Sequence, residues 1–259
     1  MRILFLADVF GTPGLVAVER LLRSLRTELD LDLVIANAEN VADGAGLTAR
    51  LGDRLLAAGV DCLTLGNHTW RRQGVGPYLV GAERVVRPGN YLDSLPGRGI
   101  AVVEARNGER VAVLNLLGRY ALEPARSPFE SVDALVAEAA RSSPVIVLDM
   151  HAEATSEKVA MGWHLDGRVT AVIGTHTHVQ TNDARVLPGG TAYVTDAGMC
   201  GPHDSVIGVR KEIILRRFLT QLPQRNEPAS GDVRLEGVLV SCDDAGRATA
   251  VETFRRPAE

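Results

Sequence analysis

Val145-Ile146-Val147-Leu148-Asp149-Met150-His151 is an apolar run, entered through Pro144, that stops on a carboxylate and an imidazole. A short continuous apolar run bounded by turn signals reads as a strand buried on both faces, as in a parallel sheet. The same pattern recurs along the chain. Ile3-Leu4-Phe5-Leu6-Ala7 ends at Asp8, and the run from Leu33 passes into Asn37-Ala38-Glu39-Asn40. Cys62-Leu63-Thr64-Leu65 ends at Gly66-Asn67-His68, and Val172-Ile173 at Gly174-Thr175-His176-Thr177-His178. Parallel α/β sheets gather their strand C-termini along one edge, where ligands bind. If these strands share a sheet, carboxylates, amides and imidazoles converge on one crevice.

Between the strands lie segments of helical period. Val18, Leu21, Leu22, Leu25 and Leu29 follow Thr12-Pro13, so Thr12 is expected to cap a helix with Pro13 in its first turn. A second helix is expected over 47–58, stopped by Gly59, another after Ser131, and another over 156–163. Further strands are expected at 85–86, 100–103, 111–116 and 192–194. A terminal hairpin joins 233–241 to 248–254 through Asp243-Asp244-Ala245-Gly246. The polar stretch 221–232 reads as a loop. No repeat or linker divides the chain, which predicts one α/β domain over residues 1–259.

Composition narrows the function. Net charge is −4, hydrophobic residues make up 46% and charged residues 23%, so a general nucleic-acid platform and a disordered chain are both excluded. The 3 cysteines, Cys62, Cys200 and Cys242, are dispersed and odd in number, which argues against a disulfide framework and suits a cytoplasmic protein. No apolar run approaches the roughly 18 residues of a membrane span. With only 5 Phe, 4 Tyr and 2 Trp, a broad base-stacking surface is not expected, so a nucleotide would be held mainly through its phosphate.

Alone, each polar strand end has an ordinary structural role. Asp8 can cap a turn, Asn67 can form an Asx turn, and His68 or His151 can be a hydrogen-bonded core histidine. Glu39 after an apolar strand is expensive to bury unpaired. His176 and His178, spaced by two on an extended chain, would turn both rings to one side as a metal pair. The joint pattern points to a metal centre.

Taken in order, Asp8, Glu39, Gly66-Asn67-His68, His151 and Gly174-Thr175-His176-Thr177-His178 resemble the five motifs of the calcineurin-like metallophosphoesterases. The longer strings Asp8-Val9-Phe10-Gly11, Asn37-Ala38-Glu39-Asn40 and Asp149-Met150-His151-Ala152-Glu153-Ala154-Thr155-Ser156-Glu157-Lys158 are similar to one subfamily, as is the stretch from Thr191-Ala192-Tyr193 through Gly201. That subfamily is the YmdB-type 2′,3′-cyclic-nucleotide phosphodiesterases. Phe10 stands where the wider superfamily has a histidine, and Glu39 where it has an aspartate. The subfamily pattern supplies the amide oxygen of Asn40 instead.

The resemblance implies a four-layer αββα sandwich of two mixed β-sheets flanked by helices. It also implies a two-metal centre, iron or manganese. Asp8, Glu39, Asn40 and His178 would hold one ion, and Glu39, Asn67, His151 and His176 the other. The implied reaction is in-line attack of a metal-held hydroxide on a 2′,3′-cyclic nucleotide, a similar phosphodiester or an RNA end, with His68 as general acid. Two divalent ions against two carboxylates and a hydroxide leave positive charge, which suits a phosphodiester monoanion. The subfamily also suggests a homo-oligomer without membrane attachment. A phosphomonoesterase on the same site and a non-catalytic metal- or nucleotide-binding regulator are the competing readings. Lys158 could touch phosphate or be a solvated charge, and the loop Arg87-Pro88-Gly89-Asn90-Tyr91 could be a turn or a nucleotide-contacting rim. His164 and His203 are expected to be structural, and the cysteines to be packing residues.

Overall fold

The computed structural model describes residues 1–122 and 124–258. The first half alternates strands and helices: β1 (Arg2–Leu6), β2 (Asp8–Val9), α1 (Gly11–Glu28), β3 (Leu33–Asn37), α2 (Ala49–Ala58), β4 (Cys62–Thr64), α3 (Val75–Gly81) and β5 (Val85–Val86). Then come β6 (Ile100–Glu104), β7 (Arg110–Leu117), α4 (Pro128–Ala140), β8 (Val145–His151), α5 (Thr155–His164) and β9 (Ala171–Thr175). The remainder is β10 (Arg185–Val186), β11 (Ala192–Val194), β12 (Met199–Pro202), α6 (Lys211–Thr220), β13 (Val233–Cys242) and β14 (Ala248–Pro257).

The strands form two mixed sheets. One is 8-stranded, ordered β2-β12-β13-β1-β3-β4-β5 with β14 on β13; the other is 6-stranded, ordered β10-β11-β9-β8-β7-β6. Period-two alternation along β1 shows why they stack. Ile3, Phe5 and Ala7 join Val113, Val147 and Ile173 of the other sheet in one buried cluster. Leu4 and Leu6 point the opposite way, into a cluster with Leu15, Val18, Leu22 and Leu25 of α1. On the far side, Leu114, Leu148 and Val172 meet Val132 and Val136 of α4 and Met161 of α5. The result is the expected helix–sheet–sheet–helix order. The long middle strands are buried on both faces, so they read as unbroken apolar runs.

Several local expectations shift. Thr12 does not cap α1. The helix opens at Gly11 after Phe10, with no side-chain cap bond, and the Gly14 N–H donates to the Phe10 carbonyl at 3.2 Å. The helix expected after Ser131 begins at Pro128 instead, and the Ser131 N–H donates to the Ser127 carbonyl at 3.2 Å. Ser127-Pro128 was the usable signal, since proline suits the first helical turn. Gly59, with φ 110, closes α2 as expected.

Candidate metal centre

Asp8 opens β2 directly after β1, Glu39 and Asn40 follow β3, and Asn67 and His68 follow β4. His151 is the last residue of β8, and His176 and His178 follow β9. β1, β3 and β4 run parallel, as do β8 and β9. The crevice therefore is not the edge of one sheet. It forms where two stacked sheets end together, three polar termini from one and two from the other.

Glu39 lies at the middle. Its Oε1 is 2.9 Å from His68 Nδ1 and 3.3 Å from His151 Nε2, and its Oε2 accepts the His68 N–H at 2.8 Å. His151 Nε2 is also 3.0 Å from Asn67 Oδ1 and 3.2 Å from His176 Nδ1. Glu39, His151 and His176 each bring one ligand atom within 4.8 Å of the others, a cluster able to hold a metal ion. Glu39, Asn40, His68, His176 and His178 share one cavity of about 350 Å³.

The expectation of an extended His176-Thr177-His178 segment is overturned. β9 stops at Thr175, and His176 and His178 have φ of 98 and 64, in left-handed backbone. Such conformations cost about 1–3 kcal/mol each and persist only where surrounding contacts impose them. Here Asp196 Oδ2 accepts from the Thr177 N–H at 3.1 Å and from Thr177 Oγ1 at 2.7 Å. The same oxygen lies 2.8 Å from Lys158 Nζ, in a pair whose side chains are each 1% exposed. Lys158 is thus the counter-ion of the loop anchor, and its burial excludes the phosphate contact considered for it.

The imidazoles are held from behind. Thr175 Oγ1 donates to Asp149 Oδ1 at 2.6 Å and accepts from His151 Nδ1 at 2.8 Å, so Nδ1 carries a proton and Nε2 is the nitrogen turned to the centre. Asn37 Nδ2 and Thr64 Oγ1, both from the other sheet, donate to Asp149 Oδ2 at 2.9 and 2.5 Å. One buried carboxylate therefore stitches the sheets together and orients a site histidine. His178 donates Nδ1 to the Ile207 carbonyl at 3.0 Å, with its ring edge-on to Phe10 at 5.6 Å. Phe10, in the superfamily's histidine position, thus packs one site ring. Asn40 Nδ2 donates to the Gly44 carbonyl at 2.9 Å, which turns Oδ1 inward. Gly66 has no room for a side chain, because a Cβ there would strike Glu39 and His151.

The donor set fits a cation. Among the described residues, Asp8 Oδ1, Glu39 Oε1 and Asn40 Oδ1 are buried with no hydrogen bond of acceptable geometry, even though two imidazole nitrogens lie near Glu39 Oε1. An unpaired buried oxygen costs roughly 1–3 kcal/mol, more if charged, and a metal ion relieves this. On the charges of the protein's own side chains the site is split. Burial pushes the Asp8 carboxyl well above its ordinary range, against the pull of His151. Burial also raises Glu39, but His151 and His68 outweigh it and hold that carboxyl well below the usual range. Burial lowers His151, yet Glu39, Asp8 and Asp149 overcome this and lift it to about 9. Burial and the His151 charge push His176 down to about 3.

A family model described as YmdB-like protein matches residues 4–254. The chain belongs to the YmdB-like family. It is 48% identical over 244 residues to the 2′,3′-cyclic-nucleotide 2′-phosphodiesterase of Bacillus subtilis (strain 168), covering 94% of this chain and 92% of that protein. A Thermus thermophilus protein of known crystal structure, described as hypothetical, superposes with a TM-score of 0.92 at 43% identity, with 99% of both chains covered. The crystal structure of a Mycoplasma pneumoniae protein described as a novel phosphatase also gives 0.92, at 35% identity, over 99% of this chain and 93% of that one.

In this YmdB-like chain the sequence reading overlooked Asp149, Thr175 and Asp196 as supports of the centre. For Asp149 the signal was available: two residues before His151 on a strand, it faces the same way. Glu153 lies 3.0 Å from His176 Nε2 and leaves that ring's Nδ1 facing His151. His164 pairs with Asp133 at 3.0 Å on the surface, away from the centre. Cys200, beside the site in sequence, is buried and donates Sγ–H to the Glu236 carbonyl at 3.0 Å.

Proposed function

We propose that this protein is a binuclear metallophosphodiesterase acting on 2′,3′-cyclic nucleotides or on RNA ends that carry the cyclic phosphate. The observation that carries the reading is the trio of buried, unpartnered oxygens on Asp8, Glu39 and Asn40, facing imidazoles fixed from behind. In this assignment Asp8, Glu39, Asn40 and His178 hold one ion, and Glu39, Asn67, His151 and His176 the other. Oxygen and imidazole donors without thiolate favour iron or manganese. Cations so held supply Lewis acidity toward phosphoryl oxygens and acidify water.

The chain's own residues do the rest. His68 has its Nδ1 turned to Glu39 at 2.9 Å and within 3.2 Å of Asn40 Nδ2, and its ring lines the cavity. The opposite ring nitrogen, Nε2, is the atom that hands a proton to the departing ribose oxygen. Glu39 fixes that ring through the backbone N–H as well as through Nδ1. Thr175 keeps the proton of His151 on Nδ1. Replacing Thr175 with the isosteric valine should weaken metal binding about 10–100-fold, read by chelator competition, with the fold unchanged by circular dichroism.

The deciding experiment is hydrolysis of adenosine 2′,3′-cyclic phosphate by manganese- or iron-loaded protein, run beside a phosphomonoester. Diester cleavage with little monoester turnover is the expected result. Dominant monoester turnover would make the protein a phosphomonoesterase, and two bound metals without turnover a regulator. Three free, buried cysteines favour a reducing cytoplasm. A homo-oligomer is the proposed assembly, for which α6 offers Leu215, Phe218 and Leu219, 55%, 74% and 83% exposed.

A further inference from the structure

A second cavity, of about 620 Å³, borders the centre at Asn67 and is absorbed by none of the roles above. Its wall carries Trp70, Tyr91, Leu92 and Leu95, with Arg71 and Arg126 also lining it. The Trp70 and Tyr91 rings are 5.9 Å apart and tilted by 51°. Trp70 packs its other side against the helix-side core.

The wall is built rather than incidental. Arg87, 5% exposed, donates to the carbonyls of Pro88 at 2.8 Å, Pro96 at 3.1 Å and Leu95 at 3.2 Å, tying the loop into a fixed shape. Asn90, fully buried, donates to the Leu117 and Arg126 carbonyls at 2.7 and 2.8 Å and accepts the Leu117 N–H at 2.9 Å. The loop Arg87-Pro88-Gly89-Asn90-Tyr91 is thus a rim: Arg87 and Asn90 hold it, and Tyr91 faces the cavity.

We infer that this cavity is the nucleobase subsite, with Trp70 as the stacking platform. The inference rests on the cyclic-phosphodiesterase reading, since it places the phosphate at the metal centre. Asn67 belongs to both the centre and this cavity, and His68 follows it directly. On a 2′,3′-cyclic nucleotide the base sits across one ribose ring from the phosphate. A phosphate beside Asn67 therefore directs the base either here or into the 350 Å³ cavity. The smaller cavity is lined by Asp43, Glu153 and Glu227, and its Phe10 ring is already packed on His178. The smaller one has Ile207, Val209 and Pro228 but no Trp or Tyr, whereas the larger one sets a Trp–Tyr pair beside Leu92 and Leu95 with no carboxylate in its lining, the kind of wall that takes a flat heterocycle. A single aromatic pair serves one base, so few aromatics in the chain are enough.

The test compares adenosine 2′,3′-cyclic phosphate with the 2′,3′-cyclic phosphate of methyl riboside, which lacks a base. Wild-type KM should be about ten- to a hundredfold lower for the nucleotide, Trp70→Phe should keep part of that ratio, and Trp70→Ala should bring it near one. A ratio near one in the wild type, or one that survives in Trp70→Ala, overturns the proposal. A second arm needs neither hydrolysis nor a cavity variant. In a Trp163→Phe background Trp70 is the sole tryptophan, and adenosine, but not ribose, should quench its fluorescence. If neither cyclic phosphate is cleaved, the diesterase reading falls while quenching sustains the subsite. Absence of quenching overturns the subsite whatever the turnover.

Discussion

Glu39→Ala should leave a folded protein that no longer binds either cation, has lost turnover, and has a melting temperature indifferent to manganese. Glu39 touches both His68, from the first sheet, and His151, from the second. Its removal takes away a donor common to both proposed ion sites. Glu39 is also the strongest of the groups that raise His151 against burial, so its removal weakens the hold on that ring's proton. The loss should exceed the roughly 10–100-fold produced when only an orienting residue is changed. Metal analysis and thermal unfolding read the result together. In the wild type, manganese at about 100 times its Kd adds about 2.7 kcal/mol of stability, and in the variant it adds none. A variant that keeps a full complement of metal would refute the bridging role.

His68→Ala is expected to do the opposite: metal content stays and kcat falls by about 10²–10⁴. The split follows from position. Asn67, the preceding residue, carries the amide oxygen assigned to metal, whereas His68 reaches the centre only through Glu39 and Asn40. The distinguishing measurement is leaving-group dependence. A proton donor matters for a poor leaving group such as a ribose alkoxide and little for p-nitrophenolate. The variant should therefore be crippled toward cyclic nucleotides and far less impaired toward a p-nitrophenyl diester. Equal losses on both substrates, or loss of metal, would make His68 a structural support.

Apolar runs ending on Asp8, Glu39, Asn67, His151 and His176 were legible because a buried parallel strand tolerates polar groups chiefly at its carboxyl end. The sandwich was less so from the residues themselves. Nothing in Val147 or Phe5 says that the two face each other, and only the resemblance supplied the second sheet. α3 escaped notice because Gly76, Pro77 and Gly81 are poor helix formers, and Val75 and Leu79 hold it through tertiary packing. α6 escaped because, of its residues, only Ile214 is buried, so no stripe announced a core-facing side. His176 and His178 do line the cavity, but not through the extended geometry expected of them. Asp196, twenty residues along, imposes a left-handed backbone that local periodicity cannot express.

The position of β13 has a consequence for biosynthesis. β1 pairs with β3 along one edge and with β13 along the other, and β13 also pairs with β12, whose other partner is β2. A ribosome has therefore made every proposed metal-binding side chain, from Asp8 to His178, well before it makes residues 233–242. Until those emerge, β1 has an open edge and Asp8 sits on a strand whose neighbour is unsupported. Any cation capture at the proposed centre is thus expected late in the life of the nascent chain. A polypeptide arrested before β13 carries all the donors yet lacks the sheet that sets them at binding distance.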